Sequence, residues 1–179
     1  MSTAGGSSRR GVDARTEIHA ARLTLVAKTL DEVRAQIDEM EADQKAQLSP
    51  QWLAQLDRPA VDSWILGFAL LHRASGRVIG TCGFKGPPAT DGSVEIAYGI
   101  APDHEGQGFA TEAAAALVAY AFGVDDVRIV CAHTETNSNA SARVLTKCGF
   151  QPIGKVIDPE DGLVWRWERR RAMRERREE

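Results

Sequence analysis

Tyr98-Gly-Ile-Ala-Pro-Asp-His-Glu-Gly-Gln-Gly-Phe-Ala-Thr-Glu112 organises the reading of the chain: a strand ends, the backbone turns on Gly106 and Gly108, and a helix begins. Just upstream, Val94, Ile96, Tyr98 and Ile100 alternate with Glu95, Ala97 and Gly99, the period-two signature of a strand with two unlike faces. One face is apolar, and the other carries a carboxylate beside tiny residues. Downstream, Gly108 to Phe122 predicts a helix with Ala113, Leu117, Tyr120 and Ala121 on one side and Gly123 as its stop. Glycines in the turn let backbone N–H groups face a ligand without Cβ obstruction. With the helix dipole, roughly half an elementary charge, those donors make an anion pocket suited to phosphate or pyrophosphate. A glycine pair alone fits a tight, strain-relieving turn equally well. Two nucleotide motifs fit poorly: Phe109-Ala110 stands where a Walker loop needs Lys then Ser or Thr, and Thr111 where a dinucleotide fingerprint needs a third small residue.

Working toward the N-terminus, Leu23 and Leu25 alternate with Arg22 and Thr24 as a first strand. Thr29 and Glu32 have capping-box spacing ahead of a helical stripe of Leu30, Val33, Ile37 and Met40, and Ser49-Pro50 starts a short second helix. Trp64 to His72 and Val78 to Phe84 read as strands joined by a hairpin at Ala74 to Arg77. Toward the C-terminus, Val127 to Ala132 predicts a strand and Asn137 to Gly149 a last helix, before final strands that include Gly162 to Glu168. This order is neither a repeated βαβ unit nor all-β, and predicts an α/β domain of the α+β kind.

With 179 residues and a net charge of −3, the chain suits one domain and argues against a dedicated nucleic-acid binder. The expected organisation is a flexible arm at 1–18, a catalytic domain at 19–168 and a charged tail at 169–179. No apolar stretch reaches the roughly 20 residues of a membrane helix, and the first residues lack a signal-peptide core, so a cytoplasmic protein with no membrane partner is expected. Cys82, Cys131 and Cys148 match neither a disulfide framework nor a metal knuckle and read as reduced structural thiols.

The motif residues resemble the GNAT superfamily of N-acetyltransferases, whose signature is Gln or Arg, two residues, Gly, one residue, then Gly or Ala. Glu105-Gly-Gln-Gly-Phe-Ala110 fits it at Gly108 and Ala110 and departs from it at Glu105, whose side chain is expected to face solvent. Ala110-Thr-Glu-Ala113, Asn139-Ala-Ser141 and Val144-Leu-Thr-Lys-Cys-Gly-Phe150 are similar to the ribosomal-protein alanine N-acetyltransferases, and the likeness runs from about Leu23 to Trp167. It implies a mixed, mainly antiparallel sheet of six to seven strands flanked by about four helices, with acetyl-CoA as co-substrate and no metal. It also implies cofactor contacts from the main chain of Tyr98, Gly99, Ile100 and Ala101, from the turn at Gly106, Gln107, Gly108, Phe109, Ala110 and Thr111, and from Asn139.

Direct acetyl transfer needs a neutral amine, donors for the developing oxyanion and a proton for the departing thiolate. Glu95 is the candidate base, by its roomy strand face and by the resemblance; the competing reading is a solvated strand residue. Ser141 is the candidate acid, because Leu145 occupies the position where many GNAT enzymes carry a tyrosine; its competing role is a helix hydroxyl bonded to backbone. His133 could relay a proton but reads first as a structural group, and Trp165 and Trp167 read as core. At pH 7 roughly one-tenth of an α-amino group is neutral against about one lysine in 2,500, which favours a peptide N-terminus as acceptor. The rival reading is a catalytically silent acyl-CoA-binding regulatory module, and the sequence leaves a homodimer open.

Overall fold

The computed structural model describes residues 15–137 and 139–172. In chain order its elements are β1 (Glu17–His19), β2 (Leu23–Ala27), α1 (Leu30–Glu39), α2 (Ala42–Ala46), α3 (Pro50–Leu56) and α4 (Ser63–Leu66). Next come β3 (Phe68–His72), β4 (Val78–Phe84), β5 (Ser93–Ile100), a 3-10 turn (Pro102–His104) and α5 (Phe109–Phe122). The chain then forms β6 (Ile129–Glu135), α6 (Asn139–Lys147), β7 (Gln151–Asp158) and β8 (Gly162–Arg170).

Local chemistry sets most of these boundaries. At α1 the capping box closes, with Glu32 N–H donating to Thr29 Oγ1 at 3.2 Å and Thr29 N–H to Glu32 Oε2 at 2.9 Å. At α3, Trp52 N–H donates to Ser49 Oγ at 3.3 Å behind a first-position proline. The expected strand from Trp64 is corrected, because Asp62 caps a helical turn there by accepting from Trp64 N–H at 3.0 Å. That turn ends at Gly67, whose φ of 70° suits glycine and where a Cβ would stand 2.9 Å from the Cys82 carbonyl oxygen.

Three further differences concern the ends and the strand count. Glu17 and Ile18, placed in the arm by composition, join His19 in an edge strand that pairs with β2, while residues 1–14 of the expected arm lie outside the described residues. Arg169 and Arg170, placed in the charged tail, continue β8, whose partner β6 fixes them in the ladder; residues 173–179 lie outside the described residues. The sheet therefore has eight strands, in the order β1-β2-β3-β4-β5-β6-β8-β7, antiparallel everywhere except between β5 and β6. The mixed, mainly antiparallel α/β architecture holds.

The main core lies between the sheet and α5 and α6, around Leu25, Phe68, Leu70, Leu117, Val130, Leu145 and Phe150. A satellite cluster of Val33, Leu56, Ile65 and Leu66 sits under the first helices. Trp167 is core, as expected, and its indole N–H donates to Thr134 Oγ1 at 3.1 Å. The three cysteines are buried and free. Burial pushes the Cys82 thiol up to about 12, against the opposing charge of Lys28, and pushes Cys131 up to about 11, so these thiols stay protonated and inert. Among the described residues no helix is long and apolar enough to cross a membrane.

Leu145 has no solvent exposure. Leu145→Ala is expected to lower the unfolding free energy by about 2–5 kcal/mol, read from urea denaturation. A change below about 1 kcal/mol would contradict its place in the core.

Candidate active site

The site begins where the sheet opens. β5 and β6 pair in parallel only at Ser93 with Ile129, Val94 with Val130 and Glu95 with Cys131. Beyond Glu95 each strand follows its own antiparallel partner, β5 staying with β4 and β6 with β8. Lys85 N–H donates to the Glu95 carbonyl at 2.9 Å and Ala101 N–H to the Ile79 carbonyl at 2.8 Å, which fixes the alternation of the β4–β5 ladder. The main-chain groups of Glu95, Ala97, Gly99 and Ala101 thus turn toward β4, and those of Tyr98 and Ile100 turn into the gap. Of the four main-chain contacts expected at Tyr98, Gly99, Ile100 and Ala101, the ladder leaves Tyr98 and Ile100 free for a ligand. The Ala101 amide is already committed to Ile79.

The turn after β5 carries unpaired donors. Gly106 and Gly108 adopt φ of 72° and 84°, left-handed conformations that favour glycine. Glu112 N–H is the first of α5 to find a backbone acceptor, at Gly108. Among the described residues no protein oxygen accepts from the N–H groups of Gly106, Gln107, Gly108, Phe109, Ala110 or Thr111. Six consecutive amides at the positive end of a 14-residue helix suit an anion. All of these residues except Gln107 line a cleft of about 570 Å³, shared with Tyr98, Ile100 and Ser141, whose α6 rim adds Arg143 and Lys147. Phe109 is buried and contributes its amide rather than its ring to this cradle. Glu105 is exposed, as expected.

A brace that the sequence reading missed holds the turn in place. The Glu112 carboxylate accepts from the backbone N–H groups of Arg22 and Leu23 and, at 3.0 Å, from Arg22 Nε. Arg22 Nη1 in turn donates to the Gln107 carbonyl at 3.0 Å, and its guanidinium lies 4.4 Å from the Phe109 ring centroid. The start of β2, the turn and the first helical turn of α5 are thereby locked together. Residues 90 positions apart gave no local signal of this pairing.

Glu95 lies on the opposite face of the same strand. Its Oε1 is held by two donors, Lys85 Nζ and His133 Nδ1, each at 2.9 Å. A carboxylate oxygen only accepts, so His133 carries its bonded proton on Nδ1. Oε2 has no protein partner among the described residues, and Glu95 lines a second cavity of about 490 Å³ with Trp52, Phe84, Asp158 and Glu160. Burial works against the Lys85 ammonium, yet its bond to Glu95 and the charges of Asp158 and Asp161 raise its pKa overall. Asp158 is held below the usual carboxylate range, first by the Asp161 backbone N–H and, against desolvation, also by Glu160 N–H, Lys85 and His133. Glu95 is therefore a charge-networked carboxylate with one free oxygen, rather than an isolated solvated strand residue. His133, read first as a structural group, is part of that network, and its Nε2 is buried with no hydrogen-bond partner among the described residues.

Ser141 projects from α6 into the first cleft, and its Oγ lies 3.4 Å from the Tyr98 phenol oxygen; among the described residues no backbone group bonds it. Asn139 opens α6, but its side chain and Ser138 lie outside the described residues.

Two cavities lie on either side of one strand, one lined with free amides that suit an anion and one with a free carboxylate oxygen that can accept a proton. Residues 15–151 match the family described as acetyltransferase (GNAT) domain. The chain belongs to the GNAT acetyltransferase family. It is 33% identical over 93 residues to an uncharacterized N-acetyltransferase, p20, of Bacillus licheniformis, a match covering 52% of each chain. The chain thus spans about half the length of the curated relatives it matches. The fold is similar to that of RimL, a ribosomal L7/L12 alpha-N-protein acetyltransferase in complex with coenzyme A, with TM-score 0.65 and 18% identity over 87% of this chain and 98% of that one. It is also similar to aminoglycoside acetyltransferase AAC(6')-Ib in complex with coenzyme A, with TM-score 0.61 and 18% identity over 83% and 95% of the two chains.

A Cβ on Gly108 would meet Arg22 Nη2 at 3.3 Å in a left-handed backbone. Gly108→Val is expected to weaken coenzyme A binding at least about tenfold by calorimetry, through loss of the amide cradle. Normal affinity in a folded variant would separate this turn from the diphosphate.

Proposed function

We propose that this protein transfers the acetyl group of acetyl-CoA directly to a primary amine. The observation that carries the reading is the back-to-back placement on β5 of the amide-lined cleft and the free Oε2 of Glu95. In this reading the amides of Gly106 to Thr111 hold the diphosphate, and the parted strands take the pantetheine arm along Tyr98 and Ile100. The Tyr98 and Ile100 main chain then faces the thioester from the gap. Lys85 and His133 fix Oε1 of Glu95, which leaves Oε2 to take the proton from the attacking amine, directly or through one water. No acyl-enzyme is needed, because amine and thioester meet across the strand.

The acceptor we favour is a peptide N-terminal amine, whose neutral fraction near pH 7 suits a single carboxylate base. The carboxylates of Asp158 and Glu160 on the acceptor wall also attract cationic amines. The protein works in the cytoplasm on this reading. A silent acyl-CoA-binding module would need the same amide cradle but no base, and the two-donor clamp on Glu95 favours the enzyme.

Incubation with acetyl-CoA and a panel of peptides and small amines is expected to release free thiol together with acetylated product. Glu95→Gln is expected to lower turnover by about 10²–10⁴-fold with coenzyme A affinity nearly unchanged. Unaltered turnover in that variant would remove Glu95 from the mechanism, and tight cofactor binding with no product on any acceptor would favour the silent module.

A further inference from the structure

The departing thiolate needs a proton, and the cleft offers few groups able to give one. The aliphatic hydroxyls of Ser141 and Thr111 are far weaker acids than a thiol. Lys147 and Arg143 lie at the rim, Lys147 exposed, and His104 stacks against Phe109 and His72 beside the turn, at the diphosphate end. Tyr98 sits differently. Its side chain is on the apolar face of β5, three residues past Glu95, so its Cα is about 10 Å farther along the strand. That position lies between the base and the amide cradle, in the stretch where β6 has left β5. The half-buried ring lines the cleft and its hydroxyl reaches Ser141 Oγ of α6 at 3.4 Å.

We propose that the Tyr98 phenol is the acid that protonates the coenzyme A thiolate, with Ser141 Oγ–H hydrogen-bonded to the phenolate that this leaves. The assignment rests on the acetyl-transfer reading of the site. The step balances: as the amine nitrogen bonds the acetyl carbon and the C–S bond breaks, the Tyr98 Oη proton passes to sulfur and the amine proton passes to Glu95. The phenolate and the protonated carboxylate then return to their starting forms by proton exchange with solvent. Burial raises the phenol above its ordinary range, opposed by the Ser141 hydrogen bond and assisted by Cys148, so at neutral pH it is a loaded donor. The same burial acts on the thiolate, which becomes more basic as it forms in an apolar cleft. This narrows the gap between the two acids. The chargeable groups around the ring are Cys82 from β4, Arg143 and Lys147 from α6, Cys148 just past its end, and His104 and Glu105 from the turn.

The assignment also gives Ser141 a different role from that of primary acid. A serine hydroxyl acts here as a partner of the phenol, and its loss costs less than loss of the phenol itself.

The test is single-turnover acetyl transfer, which isolates chemistry from product release, with coenzyme A affinity measured alongside. Tyr98→Phe is expected to slow transfer by about 100-fold while affinity stays within about twofold. Ser141→Ala is expected to slow it less. The wild-type rate should fall at alkaline pH as the phenol loses its proton, and Tyr98→Phe should lose that limb. If Tyr98→Phe fails to fold, 3-fluorotyrosine in a Tyr120→Phe background leaves Tyr98 as the sole modified phenol and should move the alkaline limb to lower pH. Transfer by folded Tyr98→Phe within about threefold of wild type, or an alkaline limb that fluorination leaves in place, would overturn the assignment. A wild-type protein that binds coenzyme A but acetylates no amine would instead overturn the transfer reading, and this assignment with it.

Discussion

The parting of β5 from β6 is the constraint on which the site depends. Three residue pairs join the five-stranded half of the sheet to the three-stranded half, and after Glu95 the two halves follow their own twists. A strand edge inside a sheet ordinarily invites another strand. Here the gap exposes the main chain of Tyr98 and Ile100 at the level of α6, and an extended ligand can pair there as a missing strand would. The same parting lets the Tyr98 ring cross toward Ser141 and brings His133 beside Glu95. One topological choice thus supplies the channel and orients the groups on both of its sides.

The second requirement is a turn that keeps its amides unpaired without collapsing. Two left-handed glycines present the N–H groups, and the clamp between Arg22 and Glu112 fixes the turn from behind. Glu112 accepts from two backbone amides of the β2 entry as well as from the guanidinium, and its side chain is only 14% exposed, so solvent screens this contact less than a surface ion pair. Free donors at the helix start are then held open by contacts that do not use them. The electrostatics lean opposite ways on the two faces: Arg143, Lys147 and the free amides, with Glu105 beside them, line the side that would receive phosphates, and Glu95, Asp158 and Glu160, with Lys85 among them, line the side that would receive an amine.

Local sequence carried the pieces whose causes are local. The alternation of Val94 to Ile100, the glycine turn, the capping box at Thr29 and the alanine-rich α5 are visible because each depends on neighbours a few residues away. Trp64 to Leu66 misled because an apolar run fits a strand or a helix, and Asp62 decided the matter by capping. β1 was hidden by its length, three residues whose pairing depends on β2. Glu95 could be placed on a face, but its partners could not: Lys85 reaches it across an antiparallel ladder and His133 across a parallel one. The same holds for the main-chain donors. Whether Gly99 and Ala101 or Tyr98 and Ile100 face the gap depends on the parity of the β4 pairing, which no segment shows by itself.

The most direct measurement is nitrogen-15 NMR of the backbone amides during titration with coenzyme A. If a diphosphate sits on the turn, the resonances of Gly106 to Thr111 move together and saturate with binding, and a dephosphorylated pantetheine fragment leaves them in place. Binding that shifts other residues while these six stay fixed would contradict the account, because the carrier would then be held somewhere else.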